Sequence, residues 1–404
     1  MELKGKYGEA KVFTDNIDLG ARDQIIELLD QDFIWGCQVR IMPDVHQGMG
    51  CVIGFTADMG DKVIPNIVGV DIGCGMLVVE LGDVEIDYSN LDKIIYSKIP
   101  SGFKIHGERK HKYPSLLNLY CYRDLQDTKR FERSIGTLGG GNHFIELGED
   151  SKKSKYLVIH SGSRNLGKQV ADHYQKMAID LAKGNQDYSM KKQEIIRNYK
   201  ETGRKKEIKR ALKELEMEYK NLKPNYPKDL CFLTGEYREM YLHDMRICQE
   251  YASLNRRVMG GIILNSLFKK DLEEYSYFET IHNYINFKDN IIRKGAISAY
   301  EGEKVLIPIN MRDGSILAVG KGNPDWNYSA PHGAGRVMSR NQARDSLNLE
   351  EFEKAMEGIY TTSINKSTLD EAPFAYKPIG EILDSLGQTV EVIDIIKPLY
   401  NFKA

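Results

Sequence analysis

Short apolar runs rich in β-branched residues, "CVIGFTA", "GMLVVEL", "KYLVIH", "KVLIPIN" and "SILAVGKG", punctuate the chain and end in glycine turns. Such runs, bounded by glycine, predict buried strands. Between them lie longer stretches of helical period. From Ser163 onward Val170, Tyr174, Met177, Ala178 and Leu181 recur at helical spacing, so "KYLVIHSGSRNLG" predicts strand, polar turn and helix. A helix N-terminus just beyond His160 can hold an anion. Between Lys191 and Lys223, Ile208, Leu212, Leu215, Tyr219 and Leu222 follow a 4-3-4-3 step. That narrow seam predicts one half of a helical hairpin, with the helix of "EYREMYLHDMRICQEYASLNRRVM" as the other half and "KPNYP" as the break. The mixture predicts an α/β protein of mixed α+β type.

Composition changes this picture little. The 404 residues are 41% hydrophobic and 28% charged, ordinary for a globular protein, and the length alone suggests two or three domains. A formal net charge of −2 gives no global attraction to nucleic acid, so such binding must come from local patches. One patch is the 191–223 stretch, with twelve Lys or Arg against six Glu, including Arg204, Lys205, Lys206, Lys209 and Arg210. A solvated helix face explains it more simply than RNA contact. No apolar run reaches the roughly 20 residues of a membrane helix. "MELKGKYGEA" lacks a signal-peptide core, so a cytoplasmic protein is expected. Six cysteines without CxxC spacing argue against a disulfide framework.

Chemistry enters with the histidines. Of nine, five sit in glycine-rich or polar settings: His46 in "MPDVHQGMG", His143 in "GTLGGGNHFIEL", His160 in "VIHSGSR", His282 in "TIHNYI" and His332 in "APHGAGRVMSR". His106, His111, His173 and His243 have charged or helical surroundings and read as structural. In "NIVGVDIGCGM", Asp71 and Cys74 stand among glycines that let the backbone turn sharply. Asn142, Arg164, Asn283 and Arg336 offer phosphate hydrogen bonds nearby. Any one of these is weak evidence alone. Together, imidazole, thiolate and carboxylate donors point to a metal or phosphate site.

In this order, "MPDVHQGMGCVIG", "VGVDIGCGM", "GTLGGGNHFIE", "HSGSRNLG", "HNY" and "HGAGRVMSR" resemble the RtcB family of GTP-dependent RNA ligases. The resemblance spans about Arg40 to Arg340, together with Lys403. It implies the family's own mixed α/β fold and one integrated catalytic domain over 1–404, with 183–229 as a charged helical insertion. It further implies Asp71, Cys74, His143, His160 and His282 as ligands of two manganese ions bridged by the Cys74 thiolate. The donor chemistry itself would let zinc compete strongly, so manganese is what the resemblance implies and not the ligand set. His332 is implied as the nucleophile that takes GMP from GTP. Asn142, Glu146, Asn310, Arg336 and Lys403 are implied as nucleotide contacts, and Arg164 and Asn142 as RNA contacts. The implied partners are GTP, an archease-type activator and RNA with 3′-phosphate or 2′,3′-cyclic phosphate and 5′-hydroxyl ends, with no membrane.

Two positions depart from the family pattern. Asn310 replaces an expected serine, and Met49 an expected lysine. A metal-dependent RNA-end phosphodiesterase or phosphatase would not need His332, and a non-enzymatic RNA-end binder would not need the metal-ligand set.

Overall fold

The computed structural model describes residues 1–204, 207–220 and 223–403. Its centre is a seven-stranded antiparallel sheet. The strands run in the order Lys304–Asn310, Gly314–Gly320, Val390–Lys403, Phe144–Glu149, Lys155–Ser161, Gly75–Gly82 and Ser276–Ile281. Each of the five apolar runs read from the sequence supplies most of a strand, although Cys51, Val52, Lys321 and Gly322 at their ends lie outside. Alternation along Gly75–Gly82 divides its side chains between two cores. Leu77 and Val79 join Ile145, Leu157 and Ile159 against the helices Tyr88–Lys98 and Gly235–Phe268, through Leu91, Ile95, Met259 and Ile263. Met76 and Val78 face the other way, onto Val158, Leu306 and Leu317. Leu306 and Leu317 come from the far end of the same sheet, so the sheet curls over and its two edge strands meet. The Leu306 N–H donates to Thr280 Oγ1 at 3.2 Å across that junction. Such closure protects edges that would otherwise invite pairing with another chain.

A six-stranded sheet, ordered Glu2–Lys4, Glu9–Val12, Val39–His46, Ile53–Asp58, Ile291–Lys294 and Asn283–Ile285, flanks this core. A two-stranded sheet pairs Ala296–Ser298 with Ser329–Pro331. The predicted strand–turn–helix is Lys155–Ser161 followed by the helix Arg164–Ala182, which buries Val170, Tyr174 and Ala178. No helix among the described residues is long and apolar enough to cross a membrane.

The hairpin expectation needs a correction. Among the described residues the helix Ile208–Lys220 packs chiefly against Asn185–Glu201, the helix immediately before it, rather than against Gly235–Phe268. An apolar seam announces that a helix has a partner without saying which one, and the short 202–207 connection favours an antiparallel neighbour. Leu215 is buried at that seam, while Ile208 and Leu212 are half-buried. Lys205, Lys206, Leu222 and the Tyr219 side chain lie outside the described residues. All six cysteines are free, and five of them are buried.

Candidate metal centre and nucleotide cavity

Four neighbouring strands deliver four of the predicted ligands to one end of the central sheet. Cys74 immediately precedes Gly75–Gly82, His143 precedes Phe144–Glu149, His160 lies near the end of Lys155–Ser161 and His282 follows Ser276–Ile281. The register places Met76 and Phe144 opposite His160, and Gly75 opposite Ile281. Asp71 is carried by the tight turn before Cys74, whose N–H donates to the Asp71 carbonyl at 3.1 Å. Gly73 has φ +73° in that turn, and a Cβ there would lie 2.9 Å from the Gln249 backbone. Glycine is therefore required for the acid and the thiol to converge.

The donor atoms cluster around one sulfur. Cys74 Sγ lies 3.4 Å from His143 Nε2 and 3.3 Å from His160 Nε2. His143 Nε2 is 3.0 Å from Asp71 Oδ2, and His160 Nε2 is 3.3 Å from His282 Nε2. Two triads result, Asp71–Cys74–His143 and Cys74–His160–His282, with Cys74 common to both. The rings are oriented from behind: His143 Nδ1 donates to the Leu138 carbonyl at 2.8 Å and His160 Nδ1 to the Asn142 carbonyl at 3.1 Å. A proton on Nδ1 leaves the Nε2 lone pair of each ring facing the cluster, the tautomer a metal ligand needs. Burial holds His160 and His282 well below the usual histidine range, so both rings are neutral. Burial pushes the Cys74 thiol up, and Asp71 adds to that. Burial alone would also raise Asp71, but hydrogen bonding and charge from His143, with the Arg164 charge, bring its carboxyl below the ordinary value. Crowded lone pairs, a thiol and a carboxylate fit two cations that share the sulfur.

The long helix Gly235–Phe268 clamps the loops that carry these ligands. Arg256 is fully buried and donates from Nη1 to the carbonyls of Gly73 and Ser161, both at 2.8 Å, while Glu279 pairs with its Nε at 2.9 Å. Asn255 accepts from the N–H groups of Gly136 and Thr137, and donates to Thr137 O, Ser161 Oγ and Gly162 O. The helical pattern of the sequence gave these two residues no distinguishing signal.

Beside the cluster lies a partly open cavity. His160 and His282 line it, as do Asn142, Glu146, Asn310, His332, Arg336 and Lys403. The His332 and His282 ring centroids are 4.8 Å apart. His332 Nδ1 lies 2.7 Å from Oδ2 of the fully buried Asp44, and that oxygen also accepts from the N–H groups of His332 and Gly333. Oδ2 already accepts from two backbone N–H groups, so Nδ1 is read as the donor of this pair, which leaves Nε2 as the ring nitrogen not held by Asp44. Asp44 lies two residues before His46 in "MPDVH", and its partner lies 288 residues away. His46 lines the same cavity, and burial lowers its pKa.

Glu146 is buried, and burial pushes it up to about 8 despite the Asn401 hydrogen bond and the Lys403 charge. Its Oε2 accepts from Asn401 Nδ2 at 2.9 Å, and its Oε1 is buried with no partner. Lys403 pairs with Glu371, which the cations Lys403 and Arg340 hold down at about 2 although burial opposes them. Glu371 carried no sequence signal, and Arg340, the last residue of the "HGAGRVMSR" motif, had been given no role. Arg336 donates to the Asp370 carbonyl at 2.6 Å and to Tyr376 Oη at 3.2 Å. Asn310 spends its side chain on its own turn, accepting from the N–H groups of Arg312 and Asp313 and donating to Asp313 Oδ2. Met49 is 60% exposed.

Arg164 does not line the cavity. Its guanidinium lies under the glycine loop, donating to Thr137 Oγ1 at 3.2 Å and Gly102 O at 3.0 Å. A Cβ on Gly139, φ +87°, would collide with Arg164 Nη1 at 1.7 Å, which accounts for that glycine.

Fold and site together define a candidate two-ion metalloprotein in which a histidine oriented by a buried acid lines a cavity beside the ion-ligand cluster. A family profile described as tRNA-splicing ligase RtcB matches residues 24–126 and 120–404, and the chain belongs to the RtcB family. The RNA-splicing ligase RtcB1 of Escherichia coli ATCC 25922 is 30% identical over 96% of this chain and 95% of its own length. The RNA-splicing ligase RtcB of E. coli K12 is 29% identical over the same shares. The tRNA-splicing ligase RtcB of Aeropyrum pernix is 26% identical over 85% of this chain and 82% of its own.

Proposed function

We propose that this protein is an RNA ligase that joins 3′-phosphate or 2′,3′-cyclic phosphate ends to 5′-hydroxyl ends, using GTP, manganese and a covalent GMP on His332. The observation that carries the reading is the Asp44–His332 pair beside His282, which aims a free imidazole nitrogen into the cavity at the edge of the metal cluster. Asp71, Cys74 and His143 would hold one ion, and Cys74, His160 and His282 the other. Manganese, when bound there, would neutralise phosphate charge and orient attacking oxygens.

The residues divide the work. His332 Nε2 attacks the α-phosphorus of GTP and pyrophosphate leaves, while Asp44 stabilises the positive charge developing on the ring. An oxygen of the RNA 3′-phosphate then takes the GMP and frees His332. Attack by the 5′-hydroxyl on that activated phosphate seals the strand and releases GMP. A cyclic phosphate is opened by hydrolysis first. Glu146 supplies acceptors for the N1–H and amino group of guanine, and its unpartnered Oε1 supports that role. Arg336, Lys403 and Asn142 bind nucleotide phosphates or base, with Asn310 at the rim, and Arg164 with Asn142 contacts RNA. The reading takes 1–404 as one catalytic domain with 183–229 as an insertion, a cytoplasmic site of action and an archease-type activator.

The test is joining of two RNA strands, one 3′-phosphorylated and one with a 5′-hydroxyl, in the presence of GTP and manganese. Joined product that disappears in His332→Ala is expected. Conversion of the 3′-phosphate to hydroxyl without joining would replace the ligase reading with a phosphatase.

A further inference from the structure

Next to the metal centre an aromatic ring stands in solvent on a backbone that is firmly tied down. Phe103 is 97% exposed, yet its neighbours leave it little freedom. The Gly102 N–H donates to the Gly139 carbonyl at 2.8 Å, and Lys104 N–H to Ser101 O at 3.1 Å. Arg130 Nη2 donates to the Phe103 carbonyl at 2.6 Å, and Arg164 Nη2 to that of Gly102 at 3.0 Å. Ordering a loop in this way while leaving a large apolar ring in water gains nothing for the fold, because the ring buries no surface.

The loop's attachments lead straight to the metal ligands. Gly139 is next to Leu138, whose carbonyl orients His143, and Arg164 follows Ser163, whose N–H donates to Asp71 Oδ1 at 3.0 Å. The Asp71 side chain is 28% exposed, and Gly141 and Asn142 are exposed as well, so the cluster opens to solvent beside this loop. The segment that carries the ring is also cationic: Lys104, Lys110 and Lys112 are exposed beside the one acid of the segment, Glu108, and Arg109 is exposed while pairing with Glu132 at 3.4 Å. An aromatic face flanked by exposed cations is the combination that receives single-stranded nucleic acid, the ring stacking a base and the cations tracking phosphates.

We propose that Phe103 stacks an unpaired base next to the 3′-phosphate of the RNA, with Lys104 and the 109–112 cations holding its backbone. The proposal rests on the RNA-ligase reading and adds to it a docking surface for the strand outside the nucleotide cavity. Recognition of this kind is tolerant of sequence, since every base offers a stacking face.

Binding of a fluorescent single-stranded oligoribonucleotide with a 3′-phosphate to the full chain, followed by anisotropy, tests the proposal. Phe103→Ala is expected to weaken binding roughly tenfold and Phe103→Trp to restore it, with GMP labelling by GTP unchanged in both. Because the ring is solvent-exposed, its truncation leaves the fold intact, and the labelling control reports on that. Parental affinity in Phe103→Ala, or equal loss in the Ala and Trp variants, overturns the proposal. Failure of the ligase reading has a different signature: the parent binds RNA with the same Phe103 dependence but never joins it.

Discussion

In the proposed reaction Asp44 determines which nitrogen of His332 can attack. Its Oδ2 collects the ring Nδ1–H and two backbone N–H groups, so the imidazole is fixed in both rotation and tautomer. Asp44→Asn keeps the shape but can turn an amide N–H toward Nδ1, which would move the ring proton to Nε2. The rate of GMP labelling should fall by roughly a hundredfold or more while the metal content measured by elemental analysis stays at the parental level. A labelling rate close to the parent's would mean that the acid is only a structural clasp. Glu146 makes a second residue-scale prediction. Its folded pKa of about 8 lies above the unfolded carboxylate value, so the native state holds a proton that the unfolded chain releases. Its contribution to stability is complete in acid, below the unfolded value, and is lost as pH rises towards 8. Guanine binding runs the opposite way, because two donors on the base call for the ionised form. The KM for GTP should therefore fall between about pH 6.5 and about pH 8.5, and Glu146→Gln should flatten that dependence. A parent profile with no slope would remove Glu146 from base recognition.

At the scale of elements, the ligand-bearing turns depend on the helix Gly235–Phe268. Asn255→Ala would leave the buried N–H groups of Gly136 and Thr137 without an acceptor, at about 1–3 kcal/mol each. Urea denaturation should show a loss of several kcal/mol, and purified protein should retain less metal, since the same side chain steadies the loops before His143 and after His160. An unchanged midpoint would contradict this. What could be read from the sequence divides along the same line. The strands, the turn at Asp71–Cys74 and the helix after Ser163 were legible because local period and glycine placement determine them. The partner of Ile208–Lys220 was not, because a seam of apolar residues does not carry its partner's address. Asn255 and Arg256 were hidden for a related reason: their importance comes from carbonyls and N–H groups about 90 to 180 residues away in sequence, and those have no side-chain signature.

Across the whole molecule, one end of the curled sheet gathers the candidate metal ligands, while the last strand brings Asn401 and Lys403 alongside Glu146 and Phe144. The family motifs made most of this convergence legible. The pairing of Lys403 with Glu371 and the Asp44–His332 contact became visible only in three dimensions. This layout separates two roles that substitution can test apart: Cys74→Ser should lower the metal content, since both triads share the sulfur, whereas His332→Ala should leave it intact. The central claim, that His332 carries GMP, is tested most directly by mass spectrometry of the chain after incubation with GTP and manganese, followed by peptide mapping under conditions that preserve the phosphorus–nitrogen bond. The account predicts a mass increase of one GMP, located on His332 and absent from His332→Ala; no increase in the metal-loaded parent, or GMP on any other residue, would contradict it.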